Sequence, residues 1–259
     1  MKFADAKQRF SSRVADYVRY RPGYPPAMLD ILRQECGLTP AASIADIGSG
    51  TGFLAELFLK NGNRVFGVEP NAEMRAAGEE YLAQFPEFTS VTGSAEATTL
   101  ADASVQFVTA GQAFHWFDAD AARKEFVRIL TPGGWIVVVW NTRRVSDRAC
   151  AREYEDLLVR YGTDYTHVKD AYPETHDMVN FFGEGNFQTR ELPNSQEFDL
   201  DGLRGRLRSS SYAPQEGHPK FAPMMEELQS IFERYQEKGR VSMDYVTRIY
   251  FGRLDENSR

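Results

Sequence analysis

Asp46-Ile47-Gly48-Ser49-Gly50-Thr51-Gly52 is the stretch whose reading decides the fold of this chain. A short apolar run, Ser43 to Ile47, leads into it, and a helical pattern from Gly52 to Asn61 leads out, closed by Gly62. Glycine lacks a Cβ, so it adopts backbone angles closed to other residues and lets the main chain approach another group closely. Three such residues between a strand and a helix mark the place where an open α/β sheet takes its ligand, beyond the carboxyl ends of the strands.

Outward from this turn the pattern alternates. Strands are expected at Arg64 to Val68, Phe88 to Thr92, Val105 to Ala110 and Trp135 to Trp140, with helices at Ala72 to Gln84 and Ala119 to Leu130. Trp135 to Trp140 is apolar at every position, as in a strand buried on both faces. Strands alternating with helices predict an α/β fold with a doubly wound, mostly parallel sheet. After Asn141 the rhythm changes: a helix over Asp147 to Tyr161, a strand over Phe187 to Leu192, helices over Leu200 to Ser209 and Phe221 to Glu237, and a last strand within Val241 to Leu254. Ahead of the core, about forty residues read as helical, broken at Arg21-Pro22-Gly23-Tyr24-Pro25-Pro26 because proline removes a donor and restricts its neighbour. The expected organisation is one domain, 1–259: a helical segment 1–40, a ligand-binding core 41–141, a helical cap 142–186 over the carboxyl edge, and the end of the sheet with its helices, 187–254.

Composition narrows the function classes. A net charge of −7 disfavours phosphate backbones and anionic lipid, so neither nucleic acid nor membrane is expected as a partner. Cys36 and Cys150 are the only cysteines and make no metal-ligand spacing, which fits two reduced structural thiols, a cytoplasmic location and no metal site. The first residues lack the apolar stretch of a secretory signal. A monomer or a homodimer is expected.

The glycine turn has an obvious rival reading as a dinucleotide fingerprint, GxGxxG. Counted from Gly48, the third small residue would fall at Phe53, too large for close helix–strand packing, and Asp46 would repel a pyrophosphate. The same acid suits a cationic ligand without phosphate. S-adenosylmethionine carries a sulfonium and an ammonium and meets that description. Glu69 lies about 20 residues beyond the glycines, where an acid accepts from both ribose hydroxyls. Pro70 can pack flat on the adenine, and Met74 follows one helical turn later.

With these residues in place the chain resembles the class I S-adenosylmethionine-dependent methyltransferases of the small-molecule type, in the trans-aconitate methyltransferase-like group. The resemblance rests on Asp46 to Gly52, Val68-Glu69-Pro70, Gly93-Ser94-Ala95-Glu96-Ala97, Gln112-Ala-Phe-His-Trp-Phe-Asp118, Leu130-Thr-Pro-Gly-Gly134 and Tyr20-Arg-Pro-Gly-Tyr-Pro25. It implies a seven-stranded sheet whose last strand is antiparallel, with the N-terminal helices as a lid over the cofactor. It implies that the backbone at Gly48, Ser49 and Gly50 receives the methionine part and Glu69 the ribose. Ser94 stands where many relatives have an aspartate for the adenine amino group, and the Ala95 amide would read the adenine edge. Glu96 either compensates for that serine or caps the next loop. The Ala110 carbonyl would accept the ligand ammonium, Gln112 would line the site, and Tyr17 and Arg21 in the lid would bind the cofactor carboxylate.

Methyl transfer from a sulfonium needs alignment and exclusion of water more than acid–base help. A carboxylate acceptor needs no general base, whereas a hydroxyl or amine benefits from one. His115 is the candidate base or substrate-orienting group, set against a structural role in holding the Trp116-Phe117 loop. Arg143 and Arg144 follow the fifth strand and either bind an anionic substrate or are simply solvated. Tyr154, Tyr161, Tyr165, Tyr172, Phe181 and Phe182 would line an acceptor pocket or belong to the core. The expected activity is methylation of a small molecule, with oxygen of a carboxylate or hydroxyl favoured. The rival is a non-catalytic protein that binds S-adenosylmethionine or S-adenosylhomocysteine and has a sealed carboxyl edge.

Overall fold

The central strand of the sheet is the apolar run that precedes the glycine turn. In the computed structural model, which describes residues 19–145, 148–165 and 175–254, the strands are β1 (Ser43–Ile47), β2 (Arg64–Val68), β3 (Phe88–Val91), β4 (Val105–Gly111), β5 (Leu130–Arg143), β6 (Phe187–Phe198) and β7 (Val241–Gly252). The helices are α1 (Ala27–Cys36), α2 (Phe53–Lys60), α3 (Ala72–Tyr81), α4 (Ala119–Ile129), α5 (Ala149–Tyr161), α6 (Thr175–Phe182), α7 (Leu200–Arg208) and α8 (Phe221–Tyr235).

The seven strands form one sheet in the order β3-β2-β1-β4-β5-β7-β6. β3, β2, β1, β4 and β5 are mutually parallel. β7 runs antiparallel between β5 and β6, as expected for the last strand. Strand order reverses at β1 and β4, so their carboxyl ends open a crevice where the glycine turn emerges.

Alternation along the buried strands sorts side chains to two faces. Ile44, Val65, Phe107, Val137, Val139, Ile249 and Phe251 pack beneath α1 and α2 through Met28, Leu32 and Phe58. Ala45, Val108, Ile136, Val138, Trp140 and Tyr250 pack beneath α4 and α6 through Ala122, Phe126, Phe181 and Phe182. Phe58, Phe126 and Phe182 are each fully buried, and burying a side chain of this size stabilises the fold by about 1.5–3 kcal/mol.

Three elements depart from the expected reading. β5 begins at Leu130 rather than Trp135, because Leu130 already pairs with Val105; Thr131-Pro-Gly-Gly134 then bulges out, with Gly133 at φ 75°, and Trp135 re-enters the ladder opposite Phe107. β6 runs to Phe198 rather than Leu192; it is the edge strand, only Phe198 in it is buried, and Pro193 sits where an edge tolerates a missing donor. The cap is also built differently. α6, expected over the carboxyl edge, lies on the second face of the sheet, because Met178, Phe181 and Phe182 bury there and the Phe181 carbonyl accepts from Arg123 Nε at 3.1 Å. The cap consists of α5 with α7 and α8, two helices inserted between β6 and β7. The β6–β7 ladder continues past Arg143, the end of β5, through Asp244 to Val241. Its protruding end packs Phe198, Val241, Met243 and Tyr245 against Tyr154, Leu158, Leu203, Leu207 and Leu228.

Candidate active site

At the crevice, Asp46 is buried and its Oδ1 accepts from the Thr109 hydroxyl at 2.9 Å. Oδ2 has no hydrogen-bond partner of normal geometry. Burial pushes the Asp46 carboxyl up to about 7; Thr109 and the nearby Ala55 amide in the first turn of α2 favour the charged form, and Glu69 opposes it. The glycines then turn with left-handed angles, φ 65° at Gly48, 56° at Gly50 and 90° at Gly52. A Cβ on Gly48 would lie 2.7 Å from the Ala113 Cβ, so only glycine fits between the turn and the loop after β4.

The turn is tied to the end of β2. Gly48 N donates to the Val68 carbonyl at 2.8 Å, and Gly50 N donates to Glu69 Oε2 at 2.9 Å. Glu69 Oε1 accepts from Asn71 N at 2.8 Å. Asn71 in turn caps α3, its Oδ1 accepting from Glu73 N and Met74 N. Met74 is buried with its methyl against Gly50, whereas Pro70 is exposed beside Glu69. Asp46, Gly48, Ser49, Gly50, Glu69, Pro70 and Met74 therefore converge around one crevice.

Ser94 and Ala95 lie in a tight loop after β3, closed by Ser94 N to the Ala97 carbonyl at 3.0 Å. Glu96 takes the capping alternative, its Oε1 accepting from Asp118 N at 3.0 Å. Ala110 is not the last residue of β4 as expected: it sits inside the ladder opposite Val138, and the strand ends at Gly111. Gln112 follows with φ 57°, a conformation a non-glycine residue adopts at a cost. Its amide donates to the Val139 carbonyl and its Nε2 to the Asn141 carbonyl, each at 3.0 Å, which joins the ends of β4 and β5.

His115 sits in a short 3-10 turn, Phe114–Trp116. Its ring centre is 4.4 Å from that of Trp116 and 5.1 Å, edge-on, from that of Trp140. Phe117 packs edge-on to Phe114 and Phe126 and belongs to the core.

The segment Tyr20 to Tyr24 lies across this edge. The Tyr20 ring rests on Gly205 of α7, where no side chain would fit, and the Tyr24 hydroxyl lies against Gly111. The Gly23 carbonyl accepts from Asn194 Nδ2 at 2.9 Å and Asn141 Nδ2 at 3.2 Å. Asn141 Oδ1 accepts from the buried Thr247 hydroxyl at 2.5 Å. Arg21 Nη2 donates to the Ser209 carbonyl at 2.9 Å, which turns it toward the cap. Tyr17 lies outside the described residues, as does Tyr172.

A family model described as a methyltransferase domain matches residues 45–138. An uncharacterized methyltransferase of Mycobacterium tuberculosis is 39% identical over 178 residues, 68% of each chain. Another, from Schizosaccharomyces pombe, is 34% identical over 93% of this chain and 95% of its own. The chain belongs to the class I S-adenosylmethionine-dependent methyltransferases. A structure assigned to a type II methyltransferase of Anaeromyxobacter dehalogenans shares the fold, with a TM-score of 0.61 and 23% identity over 92% of this chain and all of that one.

In this methyltransferase the carboxyl edge also holds residues that the sequence did not single out. Asn141, Asn194 and Thr247 pin the Gly23 carbonyl, and their partners lie as far as 171 residues apart in the chain. Arg143 is not solvated: its Nη2 donates to Glu155 Oε2 at 2.9 Å and to the Tyr165 hydroxyl at 2.8 Å, whereas Arg144 is exposed. Arg206 of α7 is buried, Nε donating to the Tyr245 hydroxyl at 3.3 Å and Nη1 to Ser210 Oγ at 3.0 Å. The available signal for Arg206 was its place on the apolar side of α7 between Leu203 and Leu207. An arginine in an otherwise polar helix reads as solvated until its neighbours are known.

Proposed function

We propose that this methyltransferase binds S-adenosylmethionine at the Gly48–Gly50 turn and methylates a small molecule, with oxygen of a carboxylate or hydroxyl favoured as acceptor atom. The observation that carries the reading is the tie between Gly50 N and Glu69 Oε2, which sets a carboxylate beside a glycine turn above a buried acid. A cationic, phosphate-free nucleoside suits that donor and acceptor set. Asp46 is a buried acid beneath the turn, and the glycines leave backbone where a Cβ would stand.

The cofactor supplies an activated methyl group on a sulfonium. The Gly48, Ser49 and Gly50 backbone would hold its methionine part, Glu69 its ribose hydroxyls, and Pro70, Met74, Ser94 and Ala95 its adenine. Ala110 and Gln112 are assigned to the ammonium side, and Arg21 with Tyr17 to the carboxylate. The clamped Tyr20–Tyr24 segment excludes water from the edge. His115 is assigned to orient the acceptor or take its proton, and the cap supplies the acceptor pocket. The acceptor is read as a small molecule because the lid and the α5–α7–α8 cap both cover this edge. The His115-Trp116-Phe117 and Tyr20–Pro25 motifs keep the trans-aconitate methyltransferase-like group as the subgroup reading.

Calorimetry with S-adenosylmethionine tests the cofactor site: micromolar binding is expected, with loss in Glu69→Ala and in Gly50→Val. Unchanged affinity in both variants would refute the assignment. Release of S-adenosylhomocysteine in an acceptor screen tests turnover, and a screen without release favours the non-catalytic alternative.

A further inference from the structure

Under the cap lie two buried guanidinium groups, of which one is paired with a carboxylate. Arg206 is 4% exposed and Glu155 8%. The Arg143 side chain is 15% exposed and pairs with Glu155. The Tyr165 hydroxyl donates to the other oxygen of Glu155 at 2.5 Å, so that carboxylate is fully engaged. Arg206 has no ion-pair partner among the described residues; its two hydrogen bonds go to neutral hydroxyls, and Nη2 makes none there. Arg143 and Arg206 also repel one another. Arg21 brings a third guanidinium toward the same region through Ser209. The Tyr154 hydroxyl is buried without a hydrogen-bond partner among the described residues, and the Arg143 guanidinium lies 5.1 Å from the centre of its ring.

A buried charge normally comes with a counter-charge, because desolvation is costly without one. Here the described residues leave about one positive charge unmatched. Tyr212 does not supply it at neutral pH: burial raises its phenol, Arg143, Arg206 and Arg21 pull it down further, and at about 8 it keeps its proton. The cluster lies at the carboxyl end of β5. Arg143 ends β5 two residues after Asn141, whose carbonyl takes Gln112 Nε2 on the strand end that leads into the His115 turn. Arg143 and Tyr154 also line a shallow, open depression with Arg144, Cys150, Met243 and Asp244, so the cluster reaches the surface.

We propose that the acceptor carries a carboxylate and that Arg206 and Arg143 hold it beneath the cap, beside the Tyr154 hydroxyl. Guanidinium matches a carboxylate in geometry as well as charge, and the tyrosine rings offer an apolar wall for the rest of the molecule. This deepens the methyltransferase reading and rests on it.

The test uses the full chain loaded with S-adenosylhomocysteine and follows thermal stabilisation by benzoate, phenylacetate and hexanoate, each compared with its primary amide. At least one acid should raise Tm where its amide does not. Arg206→Met should lose that shift while binding S-adenosylhomocysteine as the parent does, and without ligand it should melt no lower, because it removes an unpaired buried charge. Arg206→Lys keeps the charge and should retain a weakened response. Tyr154→Phe, which removes only a hydroxyl, should weaken acid binding by roughly tenfold. No shift with any acid, equal shifts for acids and amides, or an Arg206→Met protein that responds like the parent would overturn the proposal. A parent protein that does not bind S-adenosylhomocysteine by calorimetry strikes instead at the methyltransferase reading.

Discussion

Gly50 N donates to Glu69 Oε2 at 2.9 Å, which ties the turn after β1 to the end of β2 across 19 residues of chain. The same carboxylate takes Asn71 N at the start of α3, so one side chain organises both ends of the crevice. Glu69→Gln keeps the shape and removes the charge. Hydrogen bonds to charged groups are worth ~1.5–3 kcal/mol, so the Kd for S-adenosylmethionine should rise by about 10- to 100-fold. Calorimetry reads this directly, and an affinity equal to the parent's would count against a charge-assisted role.

Asp46 gives the site a pH signature. Its carboxyl is raised from 3.8 to about 7, chiefly by burial. The folded, unliganded protein therefore holds a proton here that the unfolded chain has lost, and this contribution to stability is present below about pH 4 and lost as pH rises through 7. A bound cation beside the carboxylate lowers its pKa again. Cofactor binding should then release a proton and tighten between about pH 6 and 8. Asp46→Asn should bind with little pH dependence over that range. Calorimetry in two buffers of different ionisation enthalpy counts the proton.

Gly48 combines a left-handed backbone, φ 65°, with a neighbour 2.7 Å from where its Cβ would stand. Gly133 has φ 75° and open space around it. Gly133→Ala should thus show strain alone, about 1–2 kcal/mol. Gly48→Ala should add the clash with Ala113, reach roughly 3 kcal/mol or more, and impair cofactor binding. Urea denaturation of the two variants separates the effects.

Glu155 is the counter-charge to Arg143. Glu155→Gln leaves the buried Arg143 guanidinium without its carboxylate and should cost about 3–5 kcal/mol. Arg143→Met with Glu155→Leu removes the pair together and should cost much less, since apolar replacement of a buried ion pair is often near neutral. A double-mutant cycle in guanidinium chloride reads the coupling.

Asn141 holds the lid segment through Gly23 and accepts from Thr247, which is fully buried. Asn141→Ala leaves that hydroxyl without its acceptor and should cost about 1–3 kcal/mol. Proteolysis around Gly23 should accelerate, and the KM for S-adenosylmethionine should rise more than kcat falls.

The parallel core was legible because its signals are local. An apolar run, a glycine turn and an amphipathic helix repeat along one stretch of chain, and Asp46, Glu69 and the three glycines stand at strand ends wherever the strands are drawn. The edge strand β6 was cut short in the reading because Pro193 and its polar, exposed positions carry no apolar signal. α6 was misplaced because its aromatic residues suit a pocket wall or a sheet face equally well. Only packing against Phe126 and Tyr250 decides between them.

The sequence by itself determined the fold class, the position of the cofactor turn and the acids on either side of it, since backbone freedom and charge at those residues act over a few neighbours. Tertiary structure decided the composition of the cap and the environment of Arg143 and Arg206. Whether an arginine is solvated or buried depends on partners 12 to 39 residues away, Glu155 and Tyr165 for Arg143 and Tyr245 for Arg206, brought together where the β6–β7 ladder extends past the sheet. Burial is a collective property of those contacts, and no local pattern around either arginine encodes it.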